Sequence, residues 1–249
     1  MVSPLSKNTI FVNIPQRKIS FALEQTIREC EVCSKNGTKL DNACDKCRNI
    51  NAVLRRYIEA NIPVMYWRID MKKHFKGEQY IMDKYNEIVA DLSKCYNEGL
   101  CICFSGTHGV GKTLVTTNIL KRAVEKGFNS VYVTLSDVVE NIISFTHEQR
   151  MTARQKLLEA DFLAIDEFDS RHMGSDAASE LYGRILENVF RTRVQNKLPI
   201  IMCTNSPNVI ESFGGSLKQS IESLMNYTET IPIIGKDFRK NKQSEGGDK

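Results

Sequence analysis

Gly106-Thr107-His108-Gly109-Val110-Gly111-Lys112-Thr113 is the stretch on which the fold turns. It fits the pattern G-x-x-x-x-G-K-[ST] and sits in a telling place. Before it runs an apolar segment, Gly99 to Phe104, that reads as a short buried strand. After it, Thr113 to Lys126 reads as a helix ended by Gly127. Strand, glycine loop and helix together are the context that a phosphate loop requires. Glycines let the backbone wrap closely, so that successive N–H groups point at phosphate oxygens. The Lys112 ammonium neutralises the β and γ phosphates, and the Thr113 hydroxyl is placed for Mg²⁺. The positive end of the helix dipole favours the same anion. All eight residues are therefore expected to cradle ATP.

Two further apolar strands end in polar groups. Phe162-Leu163-Ala164-Ile165 runs into Asp166-Glu167. Asp166 is expected to hold Mg²⁺ through water, and Glu167 to orient and deprotonate an attacking water. Ile200-Ile201-Met202-Cys203-Thr204 runs into Asn205, whose amide is placed to touch the γ phosphate or that water. Ser206-Pro207 after it also suits a plain turn. Ser130 to Leu135 adds a strand, with Ser136 as the expected cap of the helix after it. Ile231 to Ile234 is a candidate fifth strand, and Ala177 to Val194 a long helix with Leu181, Ile185 and Val189 aligned. Such alternation predicts an α/β domain, with a mostly parallel sheet and helices on both faces.

The N-terminal quarter is different. Cys30-Glu31-Val32-Cys33 and Cys44-Asp45-Lys46-Cys47 are separated by ten residues. Each C-x-x-C turn presents two thiolates to one ion, and two turns close a tetrahedral S₄ site. Four Cys ligands leave no open position, so the expected Zn²⁺ is structural. A redox pair is the alternative, but it would sit at a strand–helix junction and not be doubled. Cys95, Cys101, Cys103 and Cys203 lie among apolar residues and read as small buried hydrophobes. Residues 1–60 are thus expected to be a zinc-binding module. A linker and leading helix follow over 61–98, with Tyr80 to Lys94 helical. The nucleotide domain spans 99–239, and residues 240–249 read as a disordered tail.

Composition narrows the class. The chain is 41% hydrophobic and 26% charged, as in ordinary soluble domains. No apolar run approaches the roughly 20 residues that cross a bilayer. Pro4 and Pro15 break the first stretch, which lacks an apolar signal-peptide core. The expectation is a cytosolic protein with no membrane partner. A net charge of +4 permits nucleic-acid contact without arguing for it.

The order Gly106–Thr113, Asp166-Glu167, Asn205 resembles the AAA+ ATPases: Walker A, Walker B, then sensor 1. Within that group, Ala60-Asn61-Ile62-Pro63 followed by Tyr66-Trp67 is similar to the stretch preceding the core of DnaC/DnaI-type helicase loaders. Gly235-Lys236-Asp237-Phe238-Arg239 is similar to their terminal G-x-D-[YF]-R, and the cysteine module to that of DnaI-type loaders. The resemblance implies an ATP-dependent loader of a replicative hexameric helicase onto single-stranded DNA. It would act in a bacterial cytoplasm, encoded by cell or virus. The N-terminal module would grip the helicase, and the AAA+ domain would bind ATP and DNA while assembled side by side with other copies. An IstB-type transposition ATPase shares the core and is the alternative.

One segment departs from the loader pattern. Where loaders carry an arginine finger, this chain has Ser220-Ile221-Glu222-Ser223-Leu224-Met225, with no arginine. Such a finger contributes about 10³-fold or more to hydrolysis. Lys218, Arg184, Arg191 and Arg193 are the substitutes at hand, and Arg239 is either a second sensor or a surface charge. A non-hydrolysing, ATP-gated helicase adaptor is therefore a further alternative. Arg150 and Arg154 share one face of a predicted helix, which suits either a phosphate backbone or plain solvent.

Overall fold

The computed structural model describes residues 14–144, 146–169, 176–213, 215–235 and 237. Lys236, Phe238, Arg239 and the tail 240–249 lie outside the described residues, as do residues 1–13 of the expected module and the side chain of Arg184.

The C-terminal part is built on five short strands: β1 (Cys101–Ser105), β2 (Ser130–Thr134), β3 (Phe162–Asp166), β4 (Ile200–Thr204) and β5 (Glu229–Pro232). They form one sheet in the order β2-β3-β4-β1-β5, and every pairing is parallel. Strands buried on both faces read as continuous apolar runs, which is why they stand out in the sequence. The period of two still sorts the side chains. Ile102, Phe104, Tyr132, Phe162, Ala164, Ile201 and Cys203 enter one core. Cys103, Val131, Val133, Leu163, Ile165, Ile200 and Met202 enter the other.

Helices cover both faces. The N-terminal helices α1 (Gln16–Arg28), α2 (Glu31–Lys35) and α3 (Asp45–Glu59) are followed by a short α4 (Met71–His74), then α5 (Gln79–Ala90), α6 (Leu92–Glu98) and α7 (Lys112–Lys126). Ile19 and Leu23 of α1, Leu54 and Ile58 of α3, Ile81 and Ile88 of α5, and Val115 and Ile119 of α7 share the first core. The other face takes α8 (Leu135–Ser144), α9 (His147–Glu159), α10 (Asp176–Gln195) and α11 (Gly215–Met225). No helix among the described residues is long and apolar enough to cross a membrane.

The segment leaving α3 is tied to the sheet domain by polar contacts. Lys121 on α7 is buried, and its ammonium donates to the carbonyls of Tyr66 (3.0 Å) and Ile69. Burial lowers its pKa to about 8. Arg122 pairs with Asp70 at 3.2 Å. The Trp67 indole donates to the Ile62 carbonyl at 2.7 Å.

Three local readings of the sequence need correction. The helix expected over Tyr80–Lys94 breaks at Asp91, whose backbone leaves the helical region (φ −140°, ψ 75°) and whose carboxylate caps α6 by accepting from Lys94 N at 2.9 Å. Gly99 does not begin a strand but ends α6 in the left-handed conformation that glycine tolerates, at φ 76°. Ser136 lies inside α8. The reciprocal bonds that start this helix join Thr134 and Asp137, each 3.0 Å.

Candidate functional site

The parallel arrangement brings the carboxyl ends of β1, β3 and β4 to one edge of the sheet. Thr204 lies opposite Ser105 in register, and the next residue of each strand is Asn205 and Gly106. The register that joins Ile165 to Met202 carries Asp166 to the same edge, and Phe168 N donates to the Cys203 carbonyl at 2.7 Å. Ligands in parallel α/β folds bind at this edge.

The loop from Gly106 to Gly111 crosses the edge between β4 and β5. Gly106 N donates to the Thr204 carbonyl at 3.2 Å. A Cβ on Gly106 would stand 2.4 Å from the Ile233 carbonyl oxygen, so backbone approaches there as only glycine allows. Gly109 and Gly111 have φ of 81° and 98°. Gly111 hands the chain directly to the first turn of α7. Lys112 is largely buried, and its ammonium donates to the carbonyls of Gly106 (2.9 Å) and Thr107 (2.6 Å), which holds it over the loop. Thr107 and His108 are exposed at its rim, and Val110 is buried beneath it. The Asp237 side chain packs on Gly109, so closely that a Cβ there would be 1.8 Å from Oδ1.

Asp166 is 5% exposed, and both its oxygens are engaged. Oδ2 accepts from the Tyr132 hydroxyl at 2.8 Å, and Oδ1 from Glu167 N at 2.8 Å. Burial and the Asp166 charge both raise the Tyr132 pKa, so this phenol stays a donor. Glu167 is exposed and takes φ 52°, a conformation that costs a side-chain-bearing residue roughly 1 kcal/mol or more. It is held there by Phe168, fully buried against Phe190 and Phe213 with ring centroids 5.7 and 5.1 Å away. Strain held by packing is common at functional sites, and here it turns the Glu167 carboxylate outward from the strand end. Asn205 follows β4 at intermediate exposure.

These groups suit Mg²⁺ and a triphosphate. The Thr113 hydroxyl offers a hard oxygen ligand, the Asp166 carboxylate an acceptor for metal-bound water, and the glycine loop opens a 15-residue helix.

The arginine substitutes fare less well. Arg193 is fully buried and donates to the carbonyls of Leu157 (2.8 Å) and Pro199 (2.7 Å), at the amino ends of the strands. Its guanidinium is used inside the fold, where no neighbouring copy can reach it, so it is excluded as a finger. Arg191 pairs with Glu187 at 2.5 Å, and Lys218 with Glu211 at 3.0 Å. Arg154 donates to Asn188 on α10 at 2.8 Å, while Arg150 is exposed.

The cysteine cluster closes as the spacing predicts. Cys30 and Cys44 precede α2 and α3, and Cys33 and Cys47 lie in their first turns. All four sulfurs lie within 4.8 Å of one another. Cys30 Sγ and Cys44 Sγ are 3.8 Å apart. Tetrahedral Zn–S bonds of about 2.3 Å require sulfurs about 3.8 Å apart, so the cluster fits that ion. Cys44 N donates to Cys33 Sγ at 3.4 Å, which supports a thiolate there. The backbone N–H of Cys33 draws the Cys30 thiol down to about 6, while burial pushes Cys47 up. Such a split set becomes four thiolates only with a cation to share.

Sequence reasoning missed Tyr132 and the placement of Asp237 on the loop. The signal for Tyr132 was a phenol in a buried strand, since a buried tyrosine hydroxyl usually finds a partner.

The family described as "ATPase family associated with various cellular activities (AAA)" matches residues 102–214. The replicative helicase loader DnaI of Bacillus subtilis (strain 168) is 26% identical over 128 residues, covering 49% of this chain and 40% of its own length. The chain thus matches less than half of that relative. A crystal structure of DnaI superposes with a TM-score of 0.58 at 15% identity, over 69% of this chain and 94% of that one. The DnaC helicase loader superposes at 0.53 and 17% identity, over 68% of this chain and 99% of that one. Residues 102–214 thus match the AAA family model, and the fold of about two thirds of the chain is similar to that of the DnaI and DnaC helicase loaders.

Proposed function

We propose that this chain binds ATP with Mg²⁺ at Gly106–Thr113 and uses it to help place a replicative hexameric helicase on single-stranded DNA. What supports the loader reading is a coincidence on one chain. A phosphate-loop core similar to DnaI carries a four-cysteine module whose helices share its hydrophobic core. The module, held by zinc at Cys30, Cys33, Cys44 and Cys47, is the helicase-gripping part. The AAA+ domain binds DNA and further copies of itself.

Bound Mg²⁺ would neutralise charge on the phosphates. The remaining work falls to this chain. Lys112 lifts from the loop carbonyls to the β and γ phosphates. Thr113 and Asp166 hold the metal, Asp166 through water. Glu167, turned outward, orients a water and takes its proton, and Asn205 steadies that water or the γ phosphate. With Arg193 buried elsewhere and no arginine in Ser220–Met225, ATP acts more as an assembly switch than as fuel for rapid turnover. That favours the ATP-gated adaptor as the second reading, distinguished by hydrolysis that stays at background with helicase and DNA present.

The test is capture of the host's replicative helicase by the purified chain, with and without ATP. An ATP-dependent complex is expected. Capture of a transposase instead, or of no helicase in either condition, overturns the loader reading.

A further inference from the structure

Asp166 is oriented from outside the phosphate loop. In register, Thr134 of β2 stands opposite Asp166 of β3, and Tyr132 opposite Ala164. Tyr132 and Thr134 point to the same face of the sheet, so the phenol leans along the strands to meet the carboxylate. Two donors on two different oxygens, the Tyr132 hydroxyl and Glu167 N, lock the rotation of the Asp166 carboxylate. Each oxygen keeps lone-pair capacity for a further contact, in an orientation that these two donors fix.

The backbone of Tyr132 is clamped in turn. β2 is an edge strand, and the chain leaving α3 bonds to its open side. Tyr132 N donates to the Ala60 carbonyl at 2.9 Å, and Asn61 Nδ2 donates to the Tyr132 carbonyl at 2.7 Å. Asn61 is buried at φ 60°, a left-handed conformation in which asparagine is enriched. The helix that delivers it, α3, carries Cys44 at its amino end and Cys47 in its first turn.

We propose that Tyr132 is the positioning residue for Asp166, and that Asn61 links this orientation to the segment leaving the cysteine module. The proposal rests on Mg²⁺ and ATP occupying the phosphate loop. It adds a residue outside the three sequence motifs, and a short route through two hydrogen bonds, α3 to Asn61 to Tyr132 to Asp166, from the cysteine module to the phosphate site. A partner that shifts α3 would thereby shift the metal-binding carboxylate. The bland alternative is that Asp166 merely satisfies a buried phenol.

Tyr132→Phe separates the two, because it keeps the ring and removes only the hydroxyl. The measurement is binding of a fluorescent ATP analogue over a Mg²⁺ titration, and again in EDTA. Outer-shell partners of metal ligands typically change metal affinity by about 10- to 100-fold. Because Asp166 acts through water, the Mg²⁺ concentration at half-effect should rise toward the lower end of that range, up to about 10-fold, in Tyr132→Phe. Analogue affinity in EDTA should not change, which a general loss of structure would not spare. Asn61→Ala, with the hydroxyl still present, should move the Mg²⁺ midpoint in the same direction. An unchanged midpoint in Tyr132→Phe overturns the positioning role, and an unchanged midpoint in Asn61→Ala alone removes the link to α3. Failure of the unsubstituted chain to bind the analogue under any condition would instead overturn the nucleotide reading itself.

Discussion

Cys33→Ser will release the metal from the N-terminal module and loosen the residues around it, while leaving the sheet intact. Structural zinc contributes roughly 10–16 kcal/mol of apparent folding free energy in small zinc-finger peptides. A closed S₄ site has no spare ligand to replace a lost thiolate. Zinc affinity in chelator competition should fall at least about 100-fold. The core around the site is thin. Among the described residues, and apart from the cysteines, it holds Ile27 and Ala43, with Leu40 packed against it. The second half of α3 is different, because Leu54, Tyr57 and Ile58 belong to the larger core shared with α7. Hydrogen exchange should therefore rise at Ser34, Thr38 and Arg48, whose amides donate to the carbonyls of Cys30, Cys33 and Cys44. It should stay slow in β1 and β3. Native mass spectrometry of the unsubstituted protein should show one zinc per chain. Its absence there, or unchanged zinc in Cys33→Ser, would contradict the assignment.

Glu167→Gln will suppress hydrolysis and spare nucleotide binding. The substitution keeps the size and left-handed turn of the residue but removes the proton acceptor. A positioned general base contributes about 10²- to 10⁴-fold, so single-turnover hydrolysis should drop by that order. Since Glu167 is exposed and the Asp166 carboxylate is held by Tyr132 and by a backbone amide, the metal-binding group should stay in place. Equal turnover by the variant would remove Glu167 from the chemistry.

How much was legible in the sequence depended on the range of the interaction. The phosphate loop was readable because its glycines answer a local demand, seen in the positive φ of Gly109 and Gly111. β1, β3 and β4 were readable because parallel strands buried on both faces are uninterrupted apolar runs, whereas β5, expected over Ile231–Ile234, runs two residues earlier because as an exposed edge strand it carries no such run. The cysteine cluster was readable because two C-x-x-C turns have few other uses. What escaped was set by neighbours distant in sequence. Arg193 follows a helical pattern that suits a surface position, yet it is buried because Leu157 and Pro199 bring their carbonyls to it. Tyr132 lies in an apolar strand, and only the pairing of β2 with β3 puts its hydroxyl on Asp166. Asp91 breaks a helix whose apolar spacing runs straight through it, because its carboxylate is better used capping the next one.

The claim on which the rest depends is that Gly106–Thr113 binds ATP with Mg²⁺. Calorimetric titration of ATP into the purified chain tests it most directly, with Lys112→Ala in parallel. Charge-assisted hydrogen bonds contribute roughly 1.5–3 kcal/mol each, so losing the ammonium from two phosphates should weaken binding about 100-fold or more. The account predicts one ATP site per chain, Mg²⁺-dependent, and that large loss in a Lys112→Ala protein whose thermal unfolding and zinc content are unchanged. No ATP binding by the unsubstituted chain, or equal binding by Lys112→Ala, would contradict it.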